Sequence, residues 1–278
     1  MHIAYRRTAA RRPAGKTPVL LLHGLASNMT RWSEFVEHTR LAEERDVIRV
    51  DLRGHGDSPT RGRISLETWS DDLLALLDAI GAPRALLVGH SLGSQVALAC
   101  ASRAPQRVAA VVLIDPVFRS ALHGRWKWIA RAGPLFVAAA AVVRALNSVG
   151  LRRRSIPPLD LRALDELARA SLGSPQAEAE FIRRYSSMRA DLRTFRTAHY
   201  LQELVEMFRA VATPESIEAP TLVLLSTGAT FAELPAMRSI ASRFPRGEVR
   251  TIDCHHWPLT ERPDEVRGVI ETWCAAAS

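Results

Sequence analysis

Apolar residues gather along the chain in short unbroken runs, separated by longer stretches in which they recur at helical spacing. Such runs fall at residues 18–22, 85–88 and 108–114, bounded by turn-forming residues, and further strands are predicted at 47–50, 221–225 and 248–252. That is the pattern of strands buried on both faces. A short edge strand is predicted over 3–6, with a polar loop at 11–17. Between 65 and 80, Leu66, Trp69, Leu73, Leu76 and Leu77 share one helical face, with Ser65 placed to cap the start and Gly81 to end it. Helical spacing recurs at 32–42, 92–104, 231–244 and 264–273. Strands alternating with helices at this interval predict βαβ units, and so an α/β fold with a mostly parallel sheet.

The rhythm stops after Pro116. From 117 to 212 only helical patterns occur, at 126–143, 161–171, 177–189 and 200–209, punctuated by Pro157-Pro158 and Gly173-Ser174-Pro175. The chain therefore divides into a core, 1–116 with 213–278, and a helical cap, 117–212. A length of 278 residues fits one large α/β domain carrying an insertion, and 47% hydrophobic with 24% charged residues implies an ordinary packed core. Cys100, Cys254 and Cys274 are odd in number and far apart, which argues against a disulfide framework and for a reducing compartment.

A net charge of +8 raises nucleic-acid or membrane binding, and its distribution decides between them. Residues 117–212 hold 16 basic and 8 acidic groups, while the remainder holds 21 of each, so the excess lies wholly in the cap. Lysine occurs only at 16 and 127, a one-sided arginine usage that reads as compositional bias. No nucleic-acid partner is expected. Arg125, Lys127, Arg131, Arg144 and Arg152 to Arg154 surround an apolar stretch and resemble an interfacial helix, with a solvated basic face as the alternative. The run 19–22 is too short for a signal-peptide core of ~7 to 15 residues, and 135–143 falls short of the ~20 needed to span a membrane. A soluble, cytoplasmic protein is expected.

The chemistry centres on Gly89-His90-Ser91-Leu92-Gly93, set between an apolar strand and a helix. A serine projected from such a turn is held in a strained backbone conformation, and its neighbours two residues away must be small. Serine is a poor nucleophile until a base takes its proton, histidine suits that task near neutral pH, and a carboxylate must then fix the imidazole tautomer.

With His23-Gly24 after a strand, Asp51-x-Arg53-Gly54-x-Gly56-x-Ser58, the elbow at Ser91 and His256-Trp257-Pro258 near the end, the sequence resembles the α/β-hydrolase family, in the group whose helical cap follows the sixth strand. The resemblance implies an eight-stranded, mostly parallel sheet flanked by helices. It selects His256 over His255 as the base, because the family's histidine precedes an aromatic residue and a proline, and it places oxyanion-hole N–H groups at Leu25 and Leu92. The Asp51–Ser58 loop is assigned a structural role. Cys254-His255-His256 lacks a second ligand cluster at metal-like spacing, so no metal and no cofactor is expected.

The acid departs from the family's commonest pattern. No aspartate lies between Asp191 and Asp253, and the loop after residue 225 reads Ser226-Thr227-Gly228-Ala229-Thr230-Phe231-Ala232-Glu233. Two candidates remain: Asp115, ending the strand after the elbow strand, is favoured, and Glu233 is second. The pocket is expected to involve Trp32, His90, Trp126, Trp128, Phe136 and Trp257. The leading reading is a carboxylesterase or lipase-like serine hydrolase acting on a small ester with an apolar acyl group. A carbon-carbon bond hydrolase or perhydrolase on the same triad, or a non-catalytic small-molecule-binding protein, are the alternatives.

Overall fold

A computed structural model describes residues 3–172, 174–228 and 231–276. Seven strands form one sheet: β1 (Tyr5–Thr8), β2 (Val19–Leu22), β3 (Val47–Val50), β4 (Ala85–His90), β5 (Val108–Ile114), β6 (Thr221–Ser226) and β7 (Gly247–Ile252), in the order β1-β3-β2-β4-β5-β6-β7. Only β1 is antiparallel to its neighbour. The α/β class is as the sequence implies, but the eighth strand implied by resemblance is absent among the described residues. Between β1 and β2 the backbone N–H groups of Arg11 and Arg12 bond to the carbonyls of Ala42 and Glu43. Pro13, Gly15 and Pro18 in the same segment disfavour a further paired strand.

The unbroken apolar runs exist because the sheet is covered on both sides. Leu20, Leu22, Leu87, Val111, Leu113, Val223 and Leu225 point into one core. Their sequence neighbours Val19, Leu21, Leu86, Val88, Val112, Leu222 and Leu224 point into the other, as the two-residue period of a strand requires.

Of the first three helices, α1 (Ser33–His38) supplies Phe35 to the second core. The other two, α2 (Leu66–Ala79) and α3 (Leu92–Arg103), cover the first. Ser65 caps α2 by accepting from Thr68 N–H.

Six helices separate β5 from β6: α4 (Gly124–Arg131), α5 (Gly133–Ser148), α6 (Leu161–Ser171), α7 (Pro175–Tyr185), α8 (Met188–Thr194) and α9 (Thr197–Met207). Three more follow β6: α10 (Leu234–Ala241), α11 (Pro258–Glu261) and α12 (Pro263–Ala276). Among the described residues the insertion contains helices and no strand, only an isolated bridge from Leu122 to Ala232, and Phe195, Tyr200, Leu204, Met207 and Phe208 join the first core instead of forming a separate one.

Cys100, Cys254 and Cys274 are buried and not disulfide-bonded. No single helix among the described residues is long and apolar enough to cross a membrane. Register places the functional loops. Leu22 pairs with Gly89, Gly89 with Leu113, and Leu113 with Val223, so the loops after β2, β4, β5 and β6 emerge together at one sheet edge.

Candidate active site

Ser91 stands between β4 and α3 with φ 53° and ψ −113°, a left-handed conformation rare outside glycine. Its N–H donates to the Ile114 carbonyl at 2.9 Å, which fixes the turn against β5. The flanking glycines are required by contact: a Cβ on Gly89 would lie 2.3 Å from the Gly93 backbone, and one on Gly93 2.3 Å from the Leu22 carbonyl oxygen.

His256 Nε2 lies 2.8 Å from Ser91 Oγ, and its Nδ1 is hydrogen-bonded to Asp115 Oδ2. With Nδ1–H donating to the carboxylate, Nε2 presents a lone pair to the serine hydroxyl. Asp115 itself has φ +45°, and its Oδ1 accepts from Ser226 N–H at 3.0 Å, so β6 helps to aim the carboxylate. Glu233 is exposed and precedes α10; it is not brought to His256. Ala229 and Thr230 of that loop lie outside the described residues. Phe231 packs edge-on against the His256 ring at 4.3 Å.

His90 Nε2–H donates to the His256 carbonyl at 2.9 Å, tying the two loops together. Burial, with the neighbouring His256, drives the His90 pKa down to about 3, so it serves as a neutral donor. His255 is turned away, its N–H and Nδ1 bonded to Glu261, while Cys254 Sγ contacts Ser226 Oγ at 3.5 Å. The three consecutive side chains thus diverge instead of sharing one ligand position.

Gly24 abuts the site, a Cβ there falling 3.4 Å from Ser91 Cβ, and Leu25 lines the same cavity. Leu92 opens α3, so its N–H has no intrahelical acceptor. Behind this loop the buried His23 donates from Nδ1 to the Gly24 carbonyl and accepts from Leu52 N–H at Nε2; burial and nearby His55 keep its pKa low. The 51–58 loop is held as a structural unit: Asp51 accepts from Met29 and Asp57 N–H groups, and Arg53 forks onto Asp72.

The cavity over Ser91 has a volume of about 200 Å³. Of the residues expected in it, His90, Trp126 and Trp257 line it, and Trp32, Trp128 and Phe136 do not. Trp32 is fully buried in the core on the far side of the sheet, packed edge-on against Phe35. Trp128 points outward from α4, and Phe136 packs beneath α5 on the first core.

Several lining residues escape sequence reasoning: Ser27, Arg31 and Asp191, which stand beside Tyr185 and Tyr200 of the insertion. Arg31 is buried and paired with Asp165, which also accepts from Tyr185 OH at 2.7 Å. Ser27 Oγ is buried without a hydrogen-bond partner among the described residues. Burial raises the Asp191 carboxyl to about 7, although it accepts a hydrogen bond from Tyr200 OH at 3.1 Å.

Behind the cavity, Glu203 of α9 is fully buried. Its Oε2 accepts from Ala26 N–H at 3.0 Å, and its Oε1 lies 3.2 Å from His55 Nε2, an ion-pair contact without hydrogen-bond alignment. Burial opposes charging of His55, but the Glu203 carboxylate and the Arg53 carbonyl outweigh it and raise its pKa. One signal was available: Glu203 shares the buried face of α9 with Tyr200, Leu204 and Met207, an odd position for an unpaired charge.

The chain is 45% identical over 101 residues, 36% of its length, to a dihydrolipoyllysine-residue acetyltransferase component of an acetoin cleaving system from Pseudomonas putida, a match spanning only 27% of that protein. It is 25% identical over 266 residues to an sn-1-specific diacylglycerol lipase of Mus musculus, covering 92% of this chain and 80% of that one. Among solved structures, a thermophilic esterase from Thermogutta terrifontis superposes with a TM-score of 0.67 at 23% identity, over 99% of this chain and 93% of the other. A family model of the alpha/beta hydrolase fold matches residues 17–263, a span that includes the Ser91 turn, Asp115 and the His256 loop, and the chain belongs to that family.

Proposed function

We propose that the protein is a serine hydrolase that cleaves carboxylic esters with apolar acyl groups through an acyl-Ser91 intermediate. The observation that carries this reading is the continuous hydrogen-bonded chain from Ser91 Oγ through His256 to Asp115 at the floor of a cavity. His256 Nε2 takes the hydroxyl proton as Oγ attacks the ester carbonyl, and Asp115 holds the Nδ1–H tautomer and stabilises the imidazolium. The oxyanion of the tetrahedral intermediate is received by the Leu25 and Leu92 N–H groups. His256 then gives its proton to the departing alcohol oxygen. Water, deprotonated by the same imidazole, attacks the acyl carbonyl and releases the acid.

Leu25, Trp126, Ile129, Leu204, Met207 and Phe231 give the cavity an apolar wall suited to a hydrocarbon chain. The helices between β5 and β6 supply most of that wall and act as a cap. The contact between Asp115 and His256 favours this reading over a non-catalytic receptor, since it offers the histidine a carboxylate although no aspartate follows β6. An ester screen across acyl lengths tests the proposal. Octanoyl and hexanoyl esters should exceed acetyl esters in kcat/KM, and Ser91→Ala and His256→Ala should each lower kcat by roughly 10³ or more in folded protein. Equal kcat/KM across the series would remove the apolar acyl assignment.

A further inference from the structure

The apolar surface of this molecule is concentrated in one place. Trp128, Leu135, Val137, Val142, Leu146, Val149 and Leu151 are all exposed, with Leu135, Val149 and Trp128 at 71%, 74% and 70%. All of them belong to α4, α5 and the turn that follows. Leu135, Val142 and Leu146 of α5 and Val149 just after it recur at seven, four and three residues and so form one stripe, while Ala140 on the opposite side is buried. Arg144 and Asn147 lie off the stripe, and on the stripe itself the apolar side chains are left uncovered by protein. Leaving such a stripe in water is unfavourable, and contiguous patches of this kind mark interaction surfaces.

Charge identifies what covers it. Between Asp115 and Asp160 there is no acidic residue, while Arg119, Arg125, Lys127, Arg131, Arg144, Arg152, Arg153 and Arg154 are all basic. Arg125, Lys127 and Arg131 are exposed at one end of the stripe and Arg152 to Arg154 at the other. An apolar helix face between cationic ends is the pattern of a helix lying in the surface of an anionic bilayer, where each Lys or Arg improves partitioning by about fivefold. A spanning arrangement does not fit, because α4 and α5 are long and apolar enough only as a pair and are bent by 56° at their junction. We infer that the α4–α5 face docks on an anionic lipid surface. The inner side of α4 supplies Arg125, Trp126 and Ile129 to the cavity over Ser91, so docking sets the cavity wall against the lipid layer.

The test is flotation of the full-length chain with vesicles of phosphatidylcholine alone and of phosphatidylcholine with about one-third phosphatidylglycerol. The protein should float with the anionic vesicles and at least about tenfold less with the neutral ones or at ~1 M salt. The double variant Leu135→Glu, Val142→Glu should lose at least about tenfold in partitioning, while keeping its melting midpoint and its rate on a soluble acetyl ester within about twofold. Ser91→Ala should float like the wild type, which separates docking from catalysis. Absence from anionic vesicles, or equal flotation of the double variant, would overturn the inference. So would a wild-type dimer in sedimentation that the double variant converts to monomer without any vesicle binding, since the face would then cover a second copy.

Discussion

Asp115 meets two demands with one side chain. One carboxylate oxygen is fixed by Ser226 N–H, and the other holds His256, so the acid is aimed by β6 although it belongs to the loop after β5. Its left-handed backbone, φ +45°, is one that asparagine tolerates well. Asp115→Asn should therefore fold normally and lower kcat by a factor on the order of 10⁴, because the amide favours the wrong imidazole tautomer. Glu233→Gln should leave turnover unchanged, as an exposed side chain ahead of α10. Steady-state kinetics on one activated ester compares the two.

Much of this was legible at the level of residues. Ser91 and the His256 loop carry local patterns, and the absence of aspartate from 192 to 252 narrowed the acid to two positions. Ser27, Arg31 and Asp191 were not legible, because nothing near them in the chain shows that insertion and core meet there. The same limit misplaced Trp32 and Trp128, whose size suggested a pocket while their direction depends on packing.

Among the elements, α9 links the insertion to the chemistry. Glu203 reaches from it to Ala26 N–H, the residue after Leu25, and Ala26 sits at φ +46°. The carboxylate thus pins the loop that presents the Leu25 N–H and compensates the buried His55. Removing one member of a buried ion pair leaves the other uncompensated, so Glu203→Leu should cost roughly 3 kcal/mol in urea unfolding. It should also lower kcat in the fraction that remains folded. Glu203→Gln should lose less on both counts, since the amide oxygen can still accept from Ala26; equal stability of the leucine variant and wild type would refute the role.

Element boundaries were readable where caps and periodicity agree, as at Ser65 and α2. They failed where a break is written in one or two residues. The pattern over 126–143 is two helices, because Gly133-Pro134 interrupts the ladder after Arg131. That over 177–189 is split before Ser187, which caps α8 by accepting from Ala190 N–H.

For the whole molecule, the sheet sets the order of events. Parallel strands in register bring the loops after β2, β4, β5 and β6 to one edge, and the helices between β5 and β6 close over them. The α/β class was legible in the alternation of strands and helices, while the eight strands implied by resemblance exceed the seven among the described residues, since a family average carries no information about the segment between β1 and β2 in this chain. The neutral core and basic insertion seen in the charge count become a directional surface once the exposed face of α5 is located. All these features converge on Ser91, and the covalent step is where the account is most exposed. Intact-mass analysis of protein quenched during turnover of 4-nitrophenyl octanoate reads that step directly, because a good leaving group makes deacylation limiting and lets the acyl-enzyme accumulate. The account predicts a burst of about one product per protein, with an octanoyl adduct mapped to Ser91 and absent from Ser91→Ala. Turnover by the wild type with no adduct at Ser91, or undiminished turnover by folded Ser91→Ala, would contradict it.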